Sequence, residues 1–353
     1  MSTDENWTLV TGASGFVGSR LVRALVERGE RVKAFVRPGS NLRQISDLPE
    51  DKCRLAFGDI TVGHTVYRAL SGCNRMYHVA TNYKMWDKDP DRILKPAIEG
   101  THATLEAARR RNLDKIVVTS SVGALGATTT AEPMDETHEF NLQDPETYVE
   151  SKFRAEQVAL DYAKAGLPVV VVEPSGIFGP GDWKPTPSGA GIVTYLKLPQ
   201  VIRMPVTDGG LSIVDVDDVV EGHIAAMNKG RVGEKYILGG ENVTYRDMFE
   251  MLSDLTGLAP PGKTASPGMV SLGGILMELK ASLLGGDPPI TRRLARDYAF
   301  GYLWVTSEKA AKELGYQFRP ARVTLSRSVR WYLEHGYVPE KHARRVRLEF
   351  RTT

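Results

Sequence analysis

The stretch Trp7-Thr8-Leu9-Val10-Thr11-Gly12-Ala13-Ser14-Gly15-Phe16-Val17-Gly18 decides how this chain folds. Trp7 to Thr11 reads as a short buried strand. From Phe16 onward, apolar residues recur at helical spacing (Phe16, Val17, Leu21, Val22, Leu25, Val26), and the pattern stops at Gly29. Strand, glycines and helix, in that order, form the setting that a dinucleotide-binding turn requires. Glycines tolerate positive φ and let the backbone approach a pyrophosphate held at the helix N-terminus. The spacing here is Gly-x-x-Gly-x-x-Gly rather than Gly-x-Gly-x-x-Gly. A ligand-free glycine-rich turn would have the same local pattern, so the downstream sequence has to decide.

Downstream, short apolar runs at 31–36, 53–57, 75–79, 115–119 and 169–173 read as strands. Helical patterns lie between most of them, notably at 93–110 and 148–165. Alternation of this kind builds a parallel sheet covered on both faces. The expected fold is therefore α/β, a doubly wound parallel-sheet Rossmann fold with a smaller mixed C-terminal part. A Rossmann domain is expected over 1–178, with 214–240 returning to it. Residues 179–213 and 241–340 should form the substrate-binding part, and 341–353 a basic, solvated tail. The texture changes at Gly179-Pro180-Gly181-Asp182-Trp183, which reads as loop. Residues 269–284 are apolar at many positions, but Glu278 and Lys280 interrupt them and the run is short for a membrane span. A lid or core helix is expected there.

Tyr148 and Lys152 lie four residues apart in Tyr148-Val149-Glu150-Ser151-Lys152. Positions i and i+4 share a helix face, so both side chains can approach one substrate atom. A free phenol titrates near pH 10, about three units too high for neutral acid–base work. An adjacent ammonium should favour the phenolate and lower that value. The pair suits proton exchange with a carbonyl/alcohol couple. Ser120 and Ser121 follow the 115–119 strand at its carboxyl end, where open α/β sheets bind ligands. Either hydroxyl could hold the substrate oxygen.

Cofactor choice is legible at the second strand. An acid about 20 positions past the glycines binds a ribose 2′-hydroxyl, whereas Arg accommodates a 2′-phosphate. Arg37 stands nineteen residues past Gly18, Arg43 is nearby, and no acid falls between Arg31 and Gln44. Arg binds phosphate in a bidentate fashion. NADP(H) is favoured, with NAD(H) as the alternative.

The 353 residues are 42% hydrophobic and 25% charged with a net charge of +2, which suits a soluble enzyme and gives no case for nucleic-acid binding. Cys53 and Cys73 lack metal-ligand spacing and read as free packing thiols of a reducing compartment. The polar N-terminus does not read as a secretory signal, so a cytoplasmic location is expected. No metal and no integral membrane segment are expected.

Thr-Gly-x-x-Gly-x-x-Gly followed by Tyr-x-x-x-Lys resembles the extended short-chain dehydrogenase/reductases. More narrowly, the chain is similar to the dihydroflavonol 4-reductase-like group, which includes hopanoid-associated sugar epimerase-like bacterial proteins. The likeness also rests on Val36-Arg37-Pro38, Gly58-Asp59-Ile60, Thr119-Ser120-Ser121, Glu173-Pro174-Ser175 and Val214-Asp215-Val216-Asp217-Asp218-Val219. It implies Ser121, the last of the Ser run, as the active hydroxyl, with Ser120 still open. It makes Tyr148 the proton donor and gives Lys152 a second role on the nicotinamide ribose. It places Gly12, Ser14, Gly15, Phe16, Val17, Gly18, Arg37, Asp59, Ile60, Val79, Ala80, Thr81, Pro174 and Gly176 along the cofactor. A homodimer through the 93–110 and 148–165 helices would follow family habit.

Two departures bear on substrate. Many nucleotide-sugar epimerases carry Asn where alignment on Phe178-Gly179-Pro180 puts Gly176. Sugar 4,6-dehydratases carry Thr-Asp-Glu where this chain has Ser121-Val122-Gly123. Tyr83, Met85, Trp86 and Trp183 could instead wall an apolar pocket. The expected function is reduction of a bulky apolar ketone or aldehyde, flavonoid-, terpenoid- or steroid-like, by hydride transfer. An NAD-dependent nucleotide-sugar epimerase and a non-catalytic NADP-sensing regulator are the alternatives.

Overall fold

The computed structural model describes residues 6–81, 85–199, 201–284, 288 and 291–347. The first half alternates β1 (Trp7–Thr11), α1 (Phe16–Glu27), β2 (Arg31–Val36), β3 (Cys53–Phe57), α2 (Gly63–Ala69), β4 (Cys73–His78), α3 (Asp91–Arg111), β5 (Lys115–Thr119), α4 (Thr147–Lys164) and β6 (Val169–Pro174). There follow β7 (Gly176–Phe178), α5 (Pro187–Lys197), β8 (Gly210–Asp215), α6 (Val216–Lys229), β9 (Lys235–Leu238), β10 (Glu241–Thr244) and α7 (Tyr245–Thr256). The chain continues with α8 (Pro267–Leu284), α9 (Arg292–Tyr298), β11 (Tyr302–Leu303), α10 (Glu308–Leu314), α11 (Ala321–Glu334) and α12 (Glu340–Ala343).

Seven strands form one sheet in the order β3-β2-β1-β4-β5-β6-β9, and every pairing is parallel. Successive residues of a strand face opposite sides. Leu9, Ile116, Val169 and Val171 therefore enter the core under α2, α3 and α4, with Val66, Leu105, Ala108 and Ala159. Val10, Val117, Val170 and Val172 enter the other core, with Leu21, Leu25, Val219 and Ile224 of α1 and α6. Both faces are covered, as the continuous apolar runs require. Strand order reverses between β1 and β4, opening a crevice at the carboxyl ends of the strands.

The second part has its own small sheet, in which β8 pairs with β7, β10 and β11. Its core joins Ile213, Phe249, Leu252, Leu325 and Tyr332. The Val214–Val219 segment ties the two parts together. Asp215 caps α6 by accepting from the Asp217 amide at 2.9 Å, and Asp218 accepts from Arg319 at 2.7 Å. Asp217 accepts from Arg20 and Arg327 at 2.5 Å each. The last structural debt of the first sheet is met late in the chain. Ala310, Leu314 and Tyr316 complete its core, the Tyr316 hydroxyl donates to the Gly239 carbonyl at 2.9 Å, and Lys229 donates to the Leu314 carbonyl at 2.8 Å.

Within the tail, residues 341–347 are anchored at two points: the Arg347 amide donates to the Thr256 carbonyl at 2.8 Å, and Val346 packs on the second core. Only the basic side chains Lys341, Arg344, Arg345 and Arg347 stay in water. The 269–284 stretch is a helix, as a lid or core element would be, and it lies at the surface. Small residues, Gly274 and Ala281, face the protein, while Met269, Leu272, Ile275, Leu276, Leu279 and Leu283 are exposed. No helix among the described residues is long and apolar enough to cross a membrane.

Candidate active site

The glycine-rich turn is built by close approach. Gly12 has φ +68°, and a Cβ on it would lie 2.8 Å from Ala80 Cα and from Ala80 N. A Cβ on Gly18 would stand 2.2 Å from the Gly12 carbonyl oxygen, so this glycine lets α1 pack on the turn. The Ala80 amide donates to Thr11 Oγ1 at 3.1 Å, which joins the ends of β1 and β4 across the switch point. Gly15 caps α1 and offers no side-chain acceptor. The first amides of α1, around Ser14, Phe16 and Val17, therefore face the crevice with helix-dipole support for an anion. This cradle fits a dinucleotide pyrophosphate.

Arg37 lies exposed at the end of β2. Asp59 accepts from the Thr61 amide at 2.9 Å and from its hydroxyl at 2.7 Å. These bonds hold the Asp59 carboxyl below its usual range, with a smaller contribution from the Arg37 charge. Ile60 packs against Gly100, where a Cβ would meet its Cδ1 at 2.8 Å. Arg43, the second cation read from sequence, lies over the Trp183 ring at 4.4 Å. Both guanidinium groups are exposed.

Lys152 is buried on α4 and donates from Nζ to the Thr119 carbonyl at 3.2 Å. Burial pushes its ammonium down to about 8, against a smaller raising effect from Glu156. Thr119 Oγ1 lies 2.8 Å from His223 Nε2. His223 Nδ1 faces the Val219 carbonyl at 2.7 Å and so must carry the hydrogen, leaving Nε2 to accept from Thr119. Ser121 stands at the next turn and accepts from the Gly123 amide at 3.2 Å. Ser120 points elsewhere: its Oγ is buried, without a hydrogen-bond partner, and lines a small cavity with Lys152.

Tyr148 sits one helical turn before Lys152, positioned by the start of α4. Glu146 caps that helix by accepting from the Thr147 amide at 3.2 Å and also accepts from Thr291 Oγ1. The Tyr148 ring packs in an apolar cluster with Phe140, Leu142, Tyr298, Leu294 and Leu303. Sequence reasoning expects Lys152 to lower this phenol; in the structure, desolvation of the half-buried ring pushes it up instead.

Trp183 joins another cluster, edge-on to Trp331 and His335 at 5.0 and 4.9 Å, and its carbonyl accepts from Tyr337. Its indole is spent on α11 and Arg43, so it does not pack with Tyr148. Trp86 is half-buried in the segment before α3, whose Lys88 donates to the Ser282 carbonyl of α8. Tyr83 lies outside the described residues. The residues packed with Tyr148 that sequence reading missed come from α9 and β11, more than 140 positions on. Pro174 ends β6, and Gly176 is fixed by packing, since a Cβ would meet Leu211 Cδ1 at 2.8 Å. Val79 and Thr81 flank Ala80 beneath the turn. Among the described residues no group of His, Cys, Asp and Glu could hold a metal.

The fold and this site define a nicotinamide-dependent enzyme of the short-chain dehydrogenase/reductase class. The chain belongs to the NAD dependent epimerase/dehydratase family, whose profile matches residues 8–239. A relative from Synechocystis sp., named "Putative dihydroflavonol 4-reductase", is 34% identical over 335 residues, covering 93% of this chain and 95% of its own. Sterol demethylase protein B of Methylococcus capsulatus is 29% identical over 342 residues, covering 94% and 99%. The crystal structure of gox2253 superimposes with a TM-score of 0.81 at 38% identity, covering 94% of this chain and 99% of that one. These relatives support the dihydroflavonol 4-reductase-like group.

Proposed function

We propose that the chain is an NADP(H)-dependent reductase of a bulky, apolar ketone or aldehyde of the flavonoid-, terpenoid- or steroid-like class. The observation that carries this reading is the half-buried Tyr148, one helical turn before the buried Lys152 and packed with Phe140, Leu142, Tyr298 and Leu303. A pocket with such walls favours an apolar ring system over a sugar diphosphate. The names of the relatives, a dihydroflavonol reductase and a sterol demethylase protein, point to the same kind of substrate.

The glycine cradle and the α1 N-terminus would hold the pyrophosphate, Arg37 the 2′-phosphate and Lys152 the nicotinamide ribose. The bound dinucleotide supplies the hydride to the carbonyl carbon. Ser121 orients the carbonyl oxygen, and Tyr148 donates its proton to that oxygen as the C–H bond forms. Lys152, with its ammonium near 8, restores the proton to Tyr148 and limits reduction at higher pH. The reading is tested by the purified protein itself. It should carry little nicotinamide and oxidise NADPH stoichiometrically with bulky carbonyl substrates. Retained NAD, with micromolar binding of UDP-sugars and no net oxidation, would instead make it an epimerase.

A further inference from the structure

Two carboxyls lie buried where no step above uses them. Glu156, one turn after Lys152 on α4, is 2% exposed, and Glu173 on β6 is 0% exposed. Both share a single cation: Lys235 Nζ, on β9, lies 3.3 Å from Glu156 Oε1 and 3.1 Å from Glu173 Oε1. The Oε2 atoms of both carboxyls are buried without a hydrogen-bond partner. An apolar pair would fill this space at lower cost, because a buried charge left partly unpaired is expensive.

The cluster has an opening at each end. Lys235 lines a surface groove of about 710 Å³, together with Glu136, Lys164, Glu234 and Lys309. Glu156 lines an internal cavity of about 20 Å³ with Lys152, Ser120, Thr101 and His78. That volume holds one water, and the unpartnered Ser120 hydroxyl would hydrogen-bond it. His78 cannot act as the carrier. Its ring nitrogens face Thr11 and Thr101, and burial pushes its imidazolium down to about 3.

We propose that Lys235, Glu173 and Glu156 carry protons from the groove to the one-water cavity beside Lys152, resupplying the proton that Tyr148 gives to substrate. The route rests on the reductase reading. In each reduction the carbonyl carbon gains a hydride and its oxygen gains the Tyr148 proton. Lys152 reprotonates Tyr148; Glu173, the protonated carboxyl of the pair, hands its proton to the Glu156 carboxylate, which passes it through the water to Lys152. Solvent in the groove then restores Glu173 by way of Lys235, so one proton enters for each one consumed. Burial and the neighbouring Glu156 hold the Glu173 carboxyl well above its usual range, which suits a proton store. The charged and titratable groups facing the path are Lys152 on its own helix, His78 on β4, His223 on α6, Glu173 on β6 and Lys235 on β9. At the groove, Lys309 donates to Glu234 and to the Lys235 carbonyl.

Glu156→Gln and Glu173→Gln preserve shape and remove the transferable proton. The first measurement needs no turnover: protons exchanged on NADPH binding, by calorimetry in buffers of different ionisation enthalpy. The parent should show an exchange midpoint near 8. Glu156→Gln should move it downward, because Glu156 supports the ammonium. The second measurement is turnover on the best carbonyl substrate. Each folded variant should slow by roughly tenfold or more with NADPH affinity unchanged, and imidazole as an external proton donor should restore it. Either variant suffices if the other fails to fold. An unshifted midpoint in Glu156→Gln, turnover within twofold of the parent, or a loss that imidazole does not restore would assign these carboxyls to the scaffold alone. A parent that binds NADPH but reduces no carbonyl overturns the reductase reading and, with it, the route; the calorimetric result would then report only the electrostatic coupling of Glu156 to Lys152.

Discussion

At the scale of single residues, burial outweighs charge at Tyr148. Tyr148→Phe removes the proton but keeps the ring in its apolar cluster. It should cut turnover by about 10²–10⁴-fold while leaving NADPH affinity nearly intact, as steady-state rates and a binding titration would show. Turnover within threefold of the parent would remove Tyr148 from the mechanism. Arg37→Asp should weaken NADPH binding sharply and NADH binding much less, because the new acid repels a 2′-phosphate. Equal affinities in the parent, or an unchanged ratio in the variant, would show Arg37 to be a surface residue. Tyr148, Lys152 and the Ser pair were legible because their spacing states their geometry. The sign of the phenol shift was not, because it depends on Tyr298 and Leu303, which no local pattern connects to Tyr148.

At the scale of elements, the glycine turn is a packing device as well as an anion site. Gly18→Ala drives a methyl to 2.2 Å from the Gly12 carbonyl oxygen, and neither backbone can yield cheaply. The substitution should cost about 1–3 kcal/mol of stability and weaken dinucleotide binding at least as much. A denaturant midpoint and an NADPH titration both at parental values would contradict this packing. Strand β5 follows its apolar run residue for residue, since a strand covered on both faces is written as a continuous run, whereas β3 matches its run as an edge strand that leaves Leu55 and Phe57 exposed. The small sheet of β7, β8, β10 and β11 was not foreseen. Its strands run to only 3, 6, 4 and 2 residues, and long-range pairing sets them more than local propensity does. Trp183 misled for a related reason. An aromatic in a Gly-Pro loop looks available, yet α11 brings Trp331 and His335 to it from far along the chain.

At the scale of the whole molecule, the fold keeps neutral histidines at its centre. Burial pushes His223 down to about 4, below the ordinary value of 6.5. Its folded form therefore resists protonation, so the stability it contributes is complete above about pH 6.5 and is lost as pH falls through 4. His223→Gln should flatten the decline in melting temperature between those limits, an effect on the order of 3 kcal/mol at the acid end. Parallel declines in parent and variant would place His223 outside the acid response. Asp215 and Asp218, pushed up to about 6 by burial, oppose this trend, so only the difference between the two proteins is diagnostic.

The late closure of the first sheet has a consequence for how the protein is made. Its nucleotide-binding half begins at β1, yet Ala310, Leu314 and Tyr316 are part of that half's core. A ribosome would have to release nearly the entire chain before this surface could be sealed. The growing polypeptide should therefore present an unfinished apolar patch along α6 and β9 from their emergence until Tyr316 follows them. A nascent chain stalled at residue 280, with β9 clear of the exit tunnel, should be bound by chaperones and cut readily by protease at that patch, whereas one extended past Tyr316 and clear of the tunnel should resist both.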